Sequence, residues 1–293
     1  MALIDKLTAI GDAIREKEGS TDLIALNDMP SRIIDLPTGG GSGDVENDAV
    51  RQSYINSMKF NDNVAGSITI TIPKEAQLIR TSAFSGWNEL GAVVLEDHKA
   101  SELTLINDSA FINCSYLKSI EWPENISHIG QSAFANCTEL EIDELPESIF
   151  IIKSYAFKQC KKLTISKLPP NVMSVSNYTF QECIGLQLTS LPEGVTSIGN
   201  YAFDKACDTS VTRELFTIPS TVTSIGTYAF RGQNFKKIRF MGTPTSIMGN
   251  AFSNSDVTDI YVPWTHSDVV QSSPWGATNA TIHYNTSPDE VIE

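Results

Sequence analysis

The sequence predicts an α/β solenoid of about eight repeats of roughly 23 residues, with parallel strands and a small N-terminal helical segment in front. Three observations carry this. A small residue followed by phenylalanine recurs at Phe84, Phe111, Phe134, Phe157, Phe180, Phe203, Phe230 and Phe252, and the four gaps from Phe111 to Phe203 are 23 residues each. Other residue types recur in step with that phenylalanine. The first 37 residues, by contrast, carry no repeat and show apolar stripes at helical spacing.

Within the repeat, a proline stands 11 residues before the phenylalanine at Pro73, Pro123, Pro146, Pro169, Pro192 and Pro219. Ile129, Ile152, Val175, Ile198 and Ile225 stand five before it. Cys114, Cys137, Cys160 and Cys183 follow it by three, and Cys207 follows Phe203 by four. Leu117, Leu140, Leu163 and Leu186 come three after the cysteine. Positions that are apolar in every turn must share one continuous core, because a single turn cannot bury its own face. Strands are expected just before the prolines, at 117–122, 140–145, 163–168 and 186–191, since proline lacks the N–H a ladder needs. The run 195–199 should be a shorter extended segment on the opposite side. The motif lapses at 85–110, and four extra residues fall near 208–214; insertions in a solenoid emerge as loops.

The unit L-P-x-x-V-x-x-I-x-x-x-A-F-x-x-C-x-x-L resembles the BspA-type leucine-rich repeat, over about residues 66 to 285. The resemblance implies a curved right-handed leucine-rich repeat solenoid with short strands on its concave side. The expected organisation is a helical anchor at 1–37, a Gly-rich linker and N-terminal cap at 38–65, the solenoid at 66–262, a C-terminal cap at 263–285 and an acidic tail at 286–293.

At the N-terminus, Leu3, Leu7, Ile10 and Ile14 form one amphipathic stripe, and Leu26, Met29, Ile33 and Leu36 a second. A two-helix unit this small needs a partner to cover its stripes. The segment from Leu7 to Lys17 with Leu26 to Pro30 resembles one on tail and baseplate proteins of phages and prophages of Gram-positive bacteria. The C-terminal stretch with Trp264, Pro274, Trp275 and Tyr284 resembles the closing cap of repeat proteins in the same setting. Together these resemblances imply a tail or baseplate protein that is made in the host cytoplasm and carried on the virion. They also imply attachment to other tail proteins through residues 1–37, and a homo-oligomer, by analogy with tail fibres a trimer. Trp264 and Trp275 should close the open end of the core.

A net charge of −14 and a pI near 4.7 argue against nucleic acid, whose binding depends on basic contacts to phosphate. There is no apolar run of membrane-spanning length, and Met1 to Lys6 lack a signal peptide's apolar stretch. Leu36-Pro37-Thr38-Gly39 superficially resembles a wall-sorting motif, but its order and position are wrong for one. The histidines are scattered and no Cys-x-x-Cys pair occurs, so no metal or other cofactor is expected. Four cysteines at one repeat position should be buried, reduced thiols. No catalytic motif appears, and the adjacent acids Asp143 and Glu144 should point to opposite faces of a strand, so no enzyme is expected.

Two outward rows are the candidate ligand surface. The first lies two residues before each proline: Glu121, Glu144, Lys167 and Ser190. The second lies two before the phenylalanine: Tyr155, Tyr178, Tyr201 and Tyr228, whose rings and hydroxyls suit sugars or protein. Packing along the solenoid is the competing reading of the tyrosines. The expected function is receptor binding or host adhesion toward a cell-surface polysaccharide or protein. The alternative is a structural or decoration protein of the tail, or a prophage-encoded surface module, that binds no receptor.

Overall fold

The computed structural model describes residues 65–72, 74, 76–207, 213–265 and 274–286. The expected helices, with Leu3, Leu7, Ile10, Ile14, Leu26, Met29 and Ile33, lie outside those residues, as does the glycine-rich linker. In chain order the strands are β1 (Ile68–Ile72), β2 (Leu78–Ile79), β3 (Leu90–Leu95), β4 (Leu105–Ile106), β5 (Ser119–Ile120), β6 (His128–Ile129) and β7 (Ile151–Ile152). Then come β8 (Ser174–Val175), β9 (Ser197–Ile198), β10 (Arg213–Ile218), β11 (Ser224–Ile225), β12 (Phe235–Phe240), β13 (Ser246–Ile247), β14 (Asp259–Tyr261) and β15 (Thr281–His283).

Every strand pair is parallel, and two ladders result. The first is carried by β1-β3-β5 and by β10-β12-β14-β15. The second is carried by β2-β4-β6-β7 and by β8-β9-β11-β13, and it contains the short extended segment expected at 195–199.

Between the second ladder and the next strand of the first, the chain makes consecutive β-turns. Ser109, Phe111 and Asn113 donate their N–H groups to the carbonyls of Gln131, Ala133 and Ala135 one turn on, at 2.7, 2.8 and 2.8 Å. Ala110 and Cys114 also donate back to Asn107 and Phe111 within the turn, at 3.3 and 3.0 Å. The pattern needs a positive φ at two positions four residues apart, as at Ser109 and Asn113 (59° and 61°) and at Tyr155 and Gln159 (63° and 60°). A left-handed residue every four cannot belong to an α-helix. Among the described residues there is no helix, and the expected α/β class is corrected to a parallel β-solenoid.

The strands expected before the prolines sit in the right places but are shorter than predicted. Of 117–122 only β5 is regular; 140–145 and 163–168 share one bridge, Ile142 to Leu163, and 186–191 contributes a bridge from Ser190 to Thr217. The burial pattern explains the shortfall. Leu140, Ile142 and Leu145 are buried while Asp143 and Glu144 are both exposed, so alternation fails there and the backbone leaves the ladder. The expectation that Asp143 and Glu144 face oppositely is therefore corrected. Each proline ends its segment and opens a β-turn: the carbonyls of Pro123, Pro146, Pro169, Pro192 and Pro219 accept from the N–H three residues on, at 3.0–3.3 Å. The long turn at 85–110 does not disturb the stack. Its extra residues loop around Asp97, whose Oδ1 accepts from the N–H groups of Lys99 and Ala100.

The eight phenylalanines form one buried column, with neighbouring centroids 5.2–5.8 Å apart and rings within 15° of parallel. Aromatic residues close both ends. Trp87 stands in the first turn where later turns have cysteine, 6.0 Å from Phe84. At the other end Trp264 and Trp275 pack on each other at 6.4 Å and on Phe240 at 5.3 and 6.1 Å, as expected of the cap. Replacing Phe157 by alanine removes a ring that touches rings above and below. The substitution should cost about 3–5 kcal/mol, measured by chemical denaturation, with a larger loss than for any single outward residue.

Candidate binding surfaces of the solenoid

The first candidate row lies on the first ladder. Glu121, Glu144, Lys167 and Ser190 are all exposed there, but they are not equivalent. Glu121 Oε2 accepts a 2.7 Å hydrogen bond from the Leu95 N–H, so this side chain satisfies the backbone of the preceding turn. Near Glu144 the interrupted ladder leaves a shallow, open depression of about 520 Å³, lined by Glu141, Asp143, Lys161, Lys162, Thr164 and others. Lys162 reaches Glu139 and Glu141 across its rim at 2.7 and 3.3 Å, a solvent-exposed set of little energetic weight.

The row continues past Ser190, which the reading from prolines missed. Ser190 bridges to Thr217, and strand register then aligns Thr217 with Arg239, Tyr261 and His283. Thr217 and Tyr261 do stand two residues before Pro219 and Pro263, so the same rule would have found them. Arg239 and His283 have no following proline and are legible only from strand pairing. Here the chemistry is basic and aromatic. Tyr261 stacks on His283 at 4.5 Å, and His283 Nε2 lies 2.7 Å from Asp259 Oδ1. That bond, with a second from the Thr258 hydroxyl, holds the Asp259 carboxyl below its ordinary range.

The second candidate row is a ladder of half-buried tyrosines. Tyr155 and Tyr178 stack at 4.6 Å, Tyr178 and Tyr201 at 4.8 Å, each pair within 6° of parallel, and Tyr201 and Tyr228 at 5.2 Å with a tilt of 44°. All four take positive φ, between 55° and 63°, in the turn position that carries serine in earlier repeats. The stack covers the ring faces with one another. What the ladder offers outward is ring edges and hydroxyls, while the ring faces pack along the solenoid, as the competing reading of the tyrosines expects.

Arg231 terminates the ladder, its guanidinium 5.3 and 4.9 Å from the Tyr201 and Tyr228 centroids. Its Nε and Nη2 donate to Asp204 Oδ1 and Oδ2, both at 2.7 Å, and Gln181 Nε2 donates to Oδ2 at 2.9 Å. The Asp204 side chain is fully buried, and the pairing raises the Arg231 pKa. Replacing Arg231 with methionine strands a buried carboxylate. A loss of about 3–5 kcal/mol is expected, recovered in part when Asp204→Asn is added, by denaturant titration of both variants.

The cysteines form an inner column. Cys114, Cys137, Cys160 and Cys183 donate their S–H groups to the carbonyls of Phe84, Phe111, Phe134 and Phe157, at 2.9–3.1 Å. None is in a disulfide and all are buried, and burial pushes the thiols of Cys137, Cys160 and Cys183 up from an ordinary 9.0. Cys207, displaced by one residue, instead donates to the Gly232 carbonyl at 3.3 Å; burial raises its pKa while Arg213 opposes the rise. Among the described residues no group of three or more His, Cys, Asp or Glu could hold a metal ion. Native protein should resist brief alkylation at the four column thiols, read by mass spectrometry. Above pH 9 the unfolded chain loses thiol protons that the folded chain keeps, so stability should fall as pH rises past about 9, and by less after Cys160→Ala.

A stack of short parallel strands with like residues in register defines a repeat scaffold. The chain belongs to the BspA type leucine rich repeat region family, which matches residues 53–164, 96–210 and 205–273. No curated protein matches the chain. Among solved structures it is similar to a T. pallidum leucine rich repeat protein, at 25% identity and a TM-score of 0.47 over 57% of this chain and 77% of that one. It is also similar to a leucine-rich repeat protein from Bacteroides ovatus, at 22% identity and a TM-score of 0.45 over 74% and 69%. A leucine rich cell surface protein from Faecalibacterium prausnitzii follows, at 20% identity and a TM-score of 0.44 over 75% and 79%.

Proposed function

We propose that this chain is a receptor-binding or host-adhesion protein of a phage tail or baseplate, which presents its solenoid to a cell-surface polysaccharide or protein. The observation that carries the binding role is a contrast between the inside and the outside of the same turns. The phenylalanine, cysteine and aliphatic positions of the core repeat from turn to turn, while the outward row runs Glu121, Glu144, Lys167, Ser190, Thr217, Arg239, Tyr261 and His283. Packing dictates the first set and constrains the second far less, which is where partner chemistry can be written. The tyrosine ladder adds a second row of hydroxyls and ring edges. The phage setting is supported by the resemblance of the two terminal segments, with residues 1–37 as the attachment and trimerisation element.

Direct binding separates this reading from a purely structural tail role. The full-length protein should bind host cells or purified wall polysaccharide. Arg239→Ala with Tyr261→Ala should weaken that binding at least tenfold with little change in melting temperature. Deleting residues 1–43 should leave binding per chain intact, abolish incorporation into particles and give a monomer by light scattering. Wild-type protein that enters particles but binds no host surface would leave the structural role in its place.

A further inference from the structure

The second ladder carries an outward row whose composition changes abruptly. It passes through Thr104, Ser127, Phe150, Met173, Thr196, Thr223 and Thr245, one residue per turn. Wherever the residue is Ser or Thr, its hydroxyl donates to the carbonyl at the same position one turn back. Thr104 donates to Gln77 at 3.4 Å, Ser127 to Thr104 at 2.9 Å, Thr196 to Met173 at 3.1 Å, Thr223 to Thr196 at 3.0 Å and Thr245 to Thr223 at 2.9 Å. Two consecutive turns break this ladder with large apolar side chains. Phe150 is 44% exposed and Met173 is 65% exposed, and the adjoining Ile151 is 36% exposed. Phe150 rests edge-on against His128 at 4.7 Å. Neither Phe150 nor Met173 can make the hydrogen bond its neighbours make, and neither enters the core; beyond the edge contact of Phe150 with His128, their apolar surface stays open to solvent. Contiguous exposed apolar groups on an otherwise polar face mark an interaction site.

We propose that Phe150, Ile151 and Met173 are the apolar anchor of a docking site for a protein partner that presents an apolar side chain flanked by lysine or arginine. The residues that precede the strip's strands give it an acidic margin, while Lys153, which follows Ile152, is already paired with Asp108 at 3.1 Å. Glu124 and Glu147, each three residues before the ladder position, are exposed along it. A second copy of this chain would bring the same acidic margin, on a chain of net charge −14, against its own image. A basic partner meets it with opposite charge. The site lies on the opposite ladder from the row assigned to the cell-surface ligand and does not depend on that assignment.

The test uses full-length protein and two synthetic peptides with the same leucine stripe, one with lysine and one with glutamate at the flanking positions, followed by fluorescence anisotropy. The lysine peptide should bind at least tenfold tighter than the glutamate peptide. The double variant Phe150→Thr with Met173→Thr rebuilds the hydroxyl ladder without changing charge. It should melt at or above the wild-type temperature and lose at least tenfold in affinity for the lysine peptide. Glu124→Gln with Glu147→Gln should erase the preference between peptides. Unchanged binding by the threonine variant, or a marked drop in its melting temperature, would overturn the proposal. So would a concentration-dependent dimer in sedimentation that this variant abolishes, since the strip would then serve a second copy.

Discussion

Each side chain in the solenoid stands directly beside its counterpart in the next turn, and everything else follows from that register. Like meets like at the spacing of adjacent strands, roughly 4.8 Å. Apolar groups tolerate this without cost, so the phenylalanines stack into one column with centroids 5.2–5.8 Å apart. Polar groups tolerate it only if each bonds to the turn before. The column thiols do so by donating to phenylalanine carbonyls, and the threonine hydroxyls by donating to backbone on the second ladder. Charges do worst, because identical charges at strand spacing repel. Glu121 and Glu144 do follow one another, but Glu121 is held by the Leu95 N–H, and the next residue in the row is Lys167.

The same register explains why polar networks appear where the repeat changes. Asp204 is a carboxylate at a position that earlier turns fill with other residues, and it is buried. It persists because Arg231, one turn on, grips it with two nitrogens and Gln181, one turn back, adds a third bond. Arg231 then covers the open end of the tyrosine ladder. An ion pair of this kind adds little net stability over an apolar substitute, whereas removing one partner and leaving the carboxylate buried is costly.

The repeat unit was legible in the sequence because packing writes it at fixed spacing. Phe84 to Phe252, the thiol column and the β9 extended segment followed from period and position, and the tryptophan cap from a resemblance of the C-terminal stretch. The first ladder's strands lie where the prolines mark them but are shorter than a strictly alternating strand would be, because the pattern L-x-I-x-x-L has two consecutive outward residues. The tyrosines form the row that the spacing marks, and their ring faces pack on one another. A positive φ at Tyr155, Tyr178, Tyr201 and Tyr228 turns each ring onto the next, and no residue spacing announces a backbone dihedral at a non-glycine residue.

The outward surfaces divide in the same way. Sequence alone determined most of the interior, since the core positions that are apolar in every turn repeat visibly; buried Asp204 and Gln181 break that pattern and are seen only in the structure. It also determined the proline-marked part of the first row, from Glu121 to Ser190. Only the tertiary structure joined Arg239 and His283 to that row, because strand pairing, not sequence distance, sets which residues of different turns are neighbours. Only the structure likewise showed Phe150 and Met173 as breaks in a hydroxyl ladder. An apolar residue looks alike in sequence whether it is buried or exposed, and the difference lies in which side of the strand faces the core.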